Sequence, residues 1–288
     1  MIYQDTKNNA PLTNLTKLIK QKCSEAGFVK IGVSKAKVLN KEKDFFKSWL
    51  DDGKHANMDW LNKSMKKRVN PKLVMNGVNS VISLAYLYDT SFIHKDDKKI
   101  PKISRYAWGN RDYHKIIKKK LKSLCKEIED LSPRLETKYY VDDGPIMDKV
   151  WAEKSGIGWM GKHTIIINPD VGSFFFLSEI LINCELEYDE PIENLCENCS
   201  ICLDACPTGA LSEAYKLDSN LCVSYQTVEN KDEIPGHINL NNWIFGCDIC
   251  QDVCPFNTKR FLSKERDFFP KENIFNKTYD YLLKISEE

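Results

Sequence analysis

The chain has 288 residues, of which 42% are hydrophobic and 29% charged, and its formal net charge is +1. These values are typical of a globular protein with its own core and argue against a disordered or fibrous chain. Residues 1–22 contain no apolar secretory segment or twin-arginine pair, and no apolar run could span a bilayer, so we expect a cytoplasmic protein without membrane association.

Helices and strands alternate along the first 185 residues. Apolar or alternating runs predict strands at residues 28–36, 80–88, 139–141, 163–169 and 173–183. Predicted helices lie at residues 13–26, 45–61 with a break at Gly53, 114–131 and 145–154. In the third of these helices the apolar residues lie at helical spacing, at Ile117, Leu121, Leu124, Ile128 and Leu131. Such alternation predicts an α/β or α+β domain over residues 1–185.

The composition changes after residue 185, where eight of the eleven cysteines fall within the next seventy residues and strand-like runs are almost absent. We therefore expect a second domain over residues 186–288. In CENCSICLDACP, at 196–207, the cysteines have the spacing C-x2-C-x2-C-x3-C-P that bacterial ferredoxins use for [4Fe–4S] clusters. Zinc and disulfide bonds are the alternatives. Zinc does not explain the third close cysteine, and a cytoplasmic location disfavours disulfides.

The second cysteine run, CDICQDVCP at 247–255, lacks a fourth member because Ile244 stands at the expected position. Cys222 is the obvious replacement. Crosswise ligation, as in two-cluster ferredoxins, then predicts two [4Fe–4S] clusters. Cluster one is expected to use Cys196, Cys199, Cys202 and Cys254. Cluster two is expected to use Cys206, Cys222, Cys247 and Cys250. The remaining Cys23, Cys125 and Cys184 are expected to be packing residues.

Charge is spread unevenly. Residues 95–122 carry eleven Lys or Arg against three Asp, and a second basic group lies within residues 63–72. Residues 185–197 carry six acidic residues and no basic one. Solvated helix faces would explain each patch alone, whereas together they suggest a polyanionic partner and, at the acidic stretch, an electron donor.

Several long segments, in this order, resemble the epoxyqueuosine reductase family of cobalamin-dependent iron–sulfur enzymes that modify tRNA. They are KRVNPKLVMNGVNSVISLAYLY at 67–88, ISRYAWGNRDYHK at 103–115, YVDDGPIMDKVWAEKSGIGWMGKHTIIINPDVGSFFFLSEI at 140–180, LCVSYQTVENKDEIP at 221–235 and HINLNNWIFGCDICQDVCPFN at 237–257. The resemblance implies an α+β protein in which an N-terminal α/β, cobalamin-binding catalytic domain precedes a two-cluster ferredoxin-like domain.

The implied reaction is the reduction of epoxyqueuosine to queuosine in the anticodon stem-loop of tRNA. It implies cobalamin held as cob(II)alamin and reduced to Co(I) in turnover, an external low-potential electron donor, and a monomer. The resemblance makes Asp142 the proton donor, with Asp143 the adjacent alternative, and Asp142 also a cofactor contact. The other cofactor contacts implied or suggested are Arg68, Lys162, His163, Ser224 and Asp248, with His163 a weak candidate for the lower cobalt ligand.

Two departures from the family pattern are visible. Asp148 stands where the family usually has Glu, and the chain ends at Glu288, so a short form without the C-terminal helical repeats of longer members is expected. Phosphate contacts would then fall on the two basic stretches, where Tyr106, Trp108 and Tyr113 are candidates for stacking on bases. Two alternatives remain open: a corrinoid reductase of small molecules, such as a reductive dehalogenase, and a non-catalytic electron carrier.

Overall fold

The structure, a computed structural model, describes residues 10–285. Residues 1–9, part of the segment predicted to lack a targeting signal, and residues 286–288 lie outside the described residues. The helices are α1 Ala10–Glu25, α2 Asn40–Asp51, α3 Trp60–Arg68, α4 Tyr113–Glu129, α5 Asp148–Lys154, α6 Ile201–Asp204, α7 Val223–Val228, α8 Ile249–Asp252 and α9 Tyr279–Leu282. The strands are β1 Lys30–Lys35, β2 Ser80–Leu87, β3 Lys102–Ile103, β4 Thr137–Tyr140, β5 Trp159–Met160, β6 Ile166–Ile167, β7 Phe175–Ile182 and β8 Trp243–Phe245.

A four-stranded sheet with the order β1-β2-β7-β4 forms the centre of the fold, and each neighbouring pair is antiparallel. The prediction of an α+β protein is confirmed, whereas the narrower prediction of an α/β N-terminal domain is wrong. Alternating helices and strands suggested parallel crossovers. Because β1 and β2 are antiparallel, the chain between them leaves and re-enters the sheet at the same end, so α2 and α3 form an insertion instead of a crossover.

One face of the sheet packs against α1 and α4. The predicted apolar stripe of α4 is confirmed, since Ile117, Leu121 and Ile128 are fully buried against β7 residues such as Ile180. The isolated cysteines Cys23 and Cys125 are buried in this core, and Cys184 packs at its edge, as expected for packing residues.

The end of α1 follows from a glycine. Gly27 adopts φ +97°, and the N–H of Phe28 reaches back to the carbonyl of Cys23 at 3.2 Å. This left-handed cap is easiest for glycine because it lacks a Cβ. It turns the chain directly into β1, as the sequence predicted.

The other face of the sheet is covered by α5, in which Trp151 and Ala152 are fully buried. The close packing of α5 on β1 depends on Gly32, where a Cβ would stand 2.0 Å from the carbonyl oxygen of Ser155. α5 also packs on β7, and its first residue, Asp148, is in electrostatic contact with Glu179 of that strand.

The cysteine-rich segment is joined to the first half of the chain. β3 pairs in parallel with β8, and Leu186 and Phe268 belong to the core beneath α1 and α4. The two parts of the chain are therefore in contact, and the domain boundary after residue 185 stays a prediction. No helix within residues 10–285 is both long and apolar enough to cross a bilayer.

Candidate active site and cluster sites

Four cysteines line one cavity of about 240 Å³, and they are Cys196, Cys199, Cys202 and Cys254. Burial raises the pKa of Cys254 to about 11, and the charges of the other three thiols add to the effect. Thiolates crowded in this way need a positively charged centre, and the cavity has room for more than one ion. Within residues 10–285, no three His, Cys, Asp or Glu side chains converge to hold a single metal ion. The thiols and their cavity fit an iron–sulfur cluster.

The second group of thiols comprises Cys206, Cys222, Cys247 and Cys250. Burial raises the pKa of Cys247 to about 12, and the charges of Cys222 and Cys206 contribute. Burial also raises the pKa of Cys250 well above its ordinary value, with further contributions from Cys247 and Cys222. Cys222 precedes α7 and receives backbone N–H groups of that helix. The residue that stands in for the absent fourth cysteine of the second run therefore lies beside its expected partners.

Asp142 lies just after β4, where the chain bends toward α5. Its backbone has φ +55°, a left-handed conformation that side chains rarely favour and that occurs often at functional sites. The exposed carboxylate accepts a hydrogen bond from the hydroxyl of Tyr113 at 2.8 Å. The ring of Tyr113 stacks on Phe176 of β7, with centroids 4.0 Å apart and planes 3° apart. The sheet thus fixes the hydroxyl that orients Asp142.

Asp143, the alternative proton donor, has different surroundings. Its carboxylate accepts hydrogen bonds from the ammonium of Lys118 and from the N–H of Val141. Partial burial acts to raise the pKa of Asp143, but these hydrogen bonds outweigh it and hold the pKa below its ordinary value. Asp143 is therefore an anion at neutral pH and a poor acid.

A buried carboxyl group lies beneath the Asp142 bend. Glu179 is 0% exposed, and within the described residues neither of its oxygens has a hydrogen-bond partner. Burial, followed by the charge of Asp148, raises the pKa of Glu179 well above its ordinary value, which favours the neutral carboxyl group. Burial also raises the pKa of Asp148, and the charge of Asp142 adds to that increase. Of these three acids, only Asp142 reaches solvent freely.

Lys149 is a functional candidate that the sequence reasoning missed. Its side chain is exposed, and it forms no ion pair within residues 10–285. The negative charges of Asp142, Cys250 and Cys222 favour its charged form. The ammonium therefore lies within electrostatic range of both the acid and the second thiol group. Its position in the first turn of α5 was an available signal, because a cation there opposes the helix dipole.

The structure places two of the expected cofactor contacts elsewhere. The ammonium of Lys162 donates to the carbonyl oxygens of Glu197 and Cys199, both at 2.7 Å, and so holds the loop of the first thiol group. Asp248 is fully buried, and its carboxylate is held by the Ser104 hydroxyl and by the N–H and guanidinium of Arg105, the last two at 2.9 and 3.0 Å. Two of the three donors of the Lys162 ammonium and both oxygens of Asp248 are thus engaged within the protein.

His163, another of the expected cofactor contacts, lies at the first thiol group. The ring is 3% exposed, burial lowers its pKa to about 4, and it lines the cavity of the first thiol group. That location argues against a role as cobalt ligand. The glycines around it serve packing, since a Cβ at Gly158 would stand 2.1 Å from the carbonyl oxygen of Ile167.

Arg68 and Ser224 lie at the region bordered by Asp142, Lys149 and the second thiol group, here named the cleft. Arg68 donates to the carbonyl oxygen of Ile146 at 3.1 Å, which ties the end of α3 to the loop that follows Asp142. Its pKa is lowered by burial, against the charges of Asp148 and Asp142. Ser224 is half-buried in the first turn of α7, next to the second thiol group.

Some side chains of the predicted stacking and acidic surfaces already have partners within the protein. Trp108 is 4% exposed and donates its indole N–H to Ile103, so it is not available for stacking on a base. In the acidic stretch, Asp189 pairs with Lys20 at 2.6 Å and Glu185 lies 3.6 Å from the ammonium of Lys35. The basic face of α3, by contrast, has no buried residues.

Comparison with known proteins gives consistent matches along the chain. The family model "Epoxyqueuosine reductase QueG, DUF1730" matches residues 68–143, and the "4Fe-4S double cluster binding domain" matches residues 195–257. Epoxyqueuosine reductase of Leadbetterella byssophila is 39% identical over 279 residues, which covers 96% of this chain and 90% of the relative. That of Synechocystis sp. is 44% identical over 245 residues and covers 83% of each chain.

Solved structures agree with the sequence matches. A crystal structure of epoxyqueuosine reductase with an epoxyqueuosine-modified tRNA-Tyr stem loop superposes with a TM-score of 0.87 at 30% identity, over 95% of this chain and 73% of that one. A reductive dehalogenase superposes with a TM-score of 0.50 at 12% identity, over 89% of this chain and 33% of that one, which is a likeness of fold alone.

Proposed function

This chain belongs to the epoxyqueuosine reductase family, and we propose that it reduces epoxyqueuosine to queuosine in the anticodon loop of tRNA. The observation that carries the proposal is the position of Lys149, within electrostatic range of both Asp142 and the thiols Cys222 and Cys250. A proton donor and the end of an electron relay thus share one cleft. Reductive removal of an oxygen atom needs both in one place.

Conversion of an epoxide to an alkene consumes two electrons and two protons and releases the oxygen as water. We assign to Asp142 the delivery of a proton to the epoxide oxygen, because negative charge develops there as the C–O bond opens. Tyr113 orients that carboxyl group through its 2.8 Å hydrogen bond. Asp143 is not proposed as the donor, since its contact with Lys118 keeps it ionised.

Cobalamin is the cofactor that we propose for the cleft. The polar groups there suit its phosphate and amide groups: the ammonium of Lys149, which forms no ion pair within the described residues, the guanidinium of Arg68, the Ser224 hydroxyl and the carboxylate of Asp142. Oδ1 of Asp148, which has no hydrogen-bond partner within the described residues, is a further acceptor for an amide. When bound, cobalamin supplies low-potential electrons to the substrate. Lys162 and Asp248 are not retained as contacts.

The tRNA is proposed to meet the basic faces of α3 and α4. α3 carries Lys63, Lys66 and Lys67 on an exposed surface, and its last residue, Arg68, borders the cleft. Contacts between lysine and phosphate position a nucleic acid without reading its sequence, which suits an enzyme that acts on one modified base. Tyr106 remains a candidate for stacking on a base, beside Tyr113.

The two neighbouring aspartates provide a matched test. Asp142→Asn is expected to slow conversion of epoxyqueuosine in a single turnover by at least about 100-fold, the usual size of a general-acid effect. Asp143→Asn, next to it, is expected to slow it by less than about tenfold. Both variants should retain iron and tRNA affinity, measured on the same samples. A fully active Asp142→Asn enzyme would remove the assignment of the acid.

A further inference from the structure

The tautomer of His163 follows from a backbone contact. The N–H of Ile165 donates to Nδ1 of His163 at 3.2 Å. A ring nitrogen that accepts a hydrogen bond carries no proton, so the imidazole is neutral and its single proton lies on Nε2. His163 therefore presents one N–H donor, and the fold fixes which nitrogen bears it.

That donor has no acceptor in the described part of the chain. Nε2 of His163 is buried and finds no hydrogen-bond partner within residues 10–285. Buried N–H groups are nearly always satisfied, because leaving one unpaired forfeits its interaction with water without replacement. The ring lines the cavity whose other walls include Cys196, Cys199, Cys202 and Cys254. The acceptor that suits this N–H is the sulfur of a cluster held by those cysteines.

The surrounding loop is built to bring the ring close. A Cβ on Gly161 would stand 2.8 Å from Cε1 of His163 and 2.6 Å from the side chain of Ile167, so glycine at this position leaves room for the ring. A second N–H donor lies at the same cysteines: the indole N–H of Trp159 donates to Sγ of Cys196 at 3.4 Å. Two fixed, buried N–H groups thus face one cluster site.

We propose that His163 donates a hydrogen bond from Nε2 to a sulfur of cluster one and, together with Trp159, raises the reduction potential of that cluster. The inference rests on the cluster binding that the proposed function requires. N–H donors stabilise the additional negative charge of the reduced cluster, and hydrogen bonds to sulfur are among the determinants of cluster potential. His163 acts on the reduction potential of the cluster and is not a catalytic residue, because it touches neither the substrate nor the cobalamin proposed for the cleft.

Potentiometric titration of the anaerobically reconstituted protein, followed by EPR, tests the proposal. His163→Phe keeps an aromatic ring but removes the donor. It is expected to make reduction of cluster one about tenfold less favourable, which lowers its midpoint by about 59 mV for one electron. The midpoint of cluster two serves as the internal reference and should stay constant. Trp159→Phe should shift cluster one in the same direction, and His163→Gln, which retains an N–H, should restore most of the wild-type midpoint.

An unchanged cluster-one midpoint in His163→Phe, at full iron content, would overturn the proposal. If His163→Phe loses its iron, the wild-type protein decides the question. With ¹⁵N-labelled histidine, the reduced cluster one should show a hyperfine coupling to one imidazole nitrogen, and absence of that coupling would equally overturn the proposal. Neither readout depends on turnover. A protein that binds both clusters but does not convert epoxyqueuosine would therefore contradict the proposed function alone.

Discussion

Removal of the Tyr113 hydroxyl isolates the contact that orients the proposed acid. In Tyr113→Phe the ring can keep its stack on Phe176, whose plane lies 3° from that of Tyr113, so the fold should not change. What is lost is the 2.8 Å hydrogen bond to Asp142. That bond also helps to hold Asp142 at φ +55°, a conformation the backbone would otherwise tend to leave.

The size of the effect follows from the type of bond. As Asp142 gives up its proton it becomes a carboxylate, and a hydrogen bond to a charged group contributes about 1.5–3 kcal/mol; because Asp142 is exposed we take the lower end of that range. About 1.4 kcal/mol corresponds to a factor of ten. We therefore expect Tyr113→Phe to slow single-turnover conversion of epoxyqueuosine about tenfold, with unchanged affinity for tRNA.

Tyr106→Phe is the matched control. Tyr106 lies edge-on against Tyr113, but within the described residues its hydroxyl does not donate to Asp142. Its rate should stay within about twofold of wild type, below the effect of one lost hydrogen bond. Combined with Asp142→Asn, the Tyr113→Phe change should add no further loss. An additional tenfold loss in the double variant would show that Tyr113 acts on something other than Asp142, and the reasoning would be refuted.

Other parts of the molecule give three further predictions. Glu179 is kept protonated in the folded protein and ionises on unfolding above its ordinary pKa of 4.5, so wild-type stability falls with rising pH. The melting temperature of Glu179→Gln relative to wild type should therefore increase between about pH 5 and 8, and a constant difference would contradict a raised pKa. Arg105→Leu leaves the buried Asp248 without its cation and should cost about 3–5 kcal/mol, visible as a lower melting temperature and faster loss of iron; an unchanged melting temperature would speak against this network. Lys67→Ala should weaken tRNA binding in fluorescence anisotropy and reduce the slope against log salt by about one, whereas an unchanged slope would exclude a phosphate contact there.

Features that depend only on residues close together in sequence could be predicted. The stripe of α4 is confirmed because its apolar spacing depends only on helix geometry. The cysteine spacing likewise reflects short turns, and Cys222 could be identified because its partners lacked one member. Strand direction could not be predicted, since antiparallel pairing of β1 with β2 depends on where α2 and α3 pack.

Contacts between distant residues account for the remaining differences. Asp248 looked available for a cofactor, but its partner Arg105 is 143 residues away in sequence. Lys162 looked like part of a ligand loop, and its acceptor, the carbonyl oxygen of Glu197, is 35 residues away. Both side chains carry charges that only the folded protein can pair. Lys149 was missed because the sequence does not show that its charge stays without an ion-pair partner among the described residues of the cleft.

Turnover of the proposed substrate tests the account most directly. The anaerobically reconstituted protein, chemically reduced and supplied with cobalamin, should convert epoxyqueuosine to queuosine in tRNA, as measured by mass spectrometry of the digested nucleosides. The same preparation without cobalamin should leave epoxyqueuosine intact. Failure to form queuosine by a protein that carries both clusters and cobalamin would contradict the central claim.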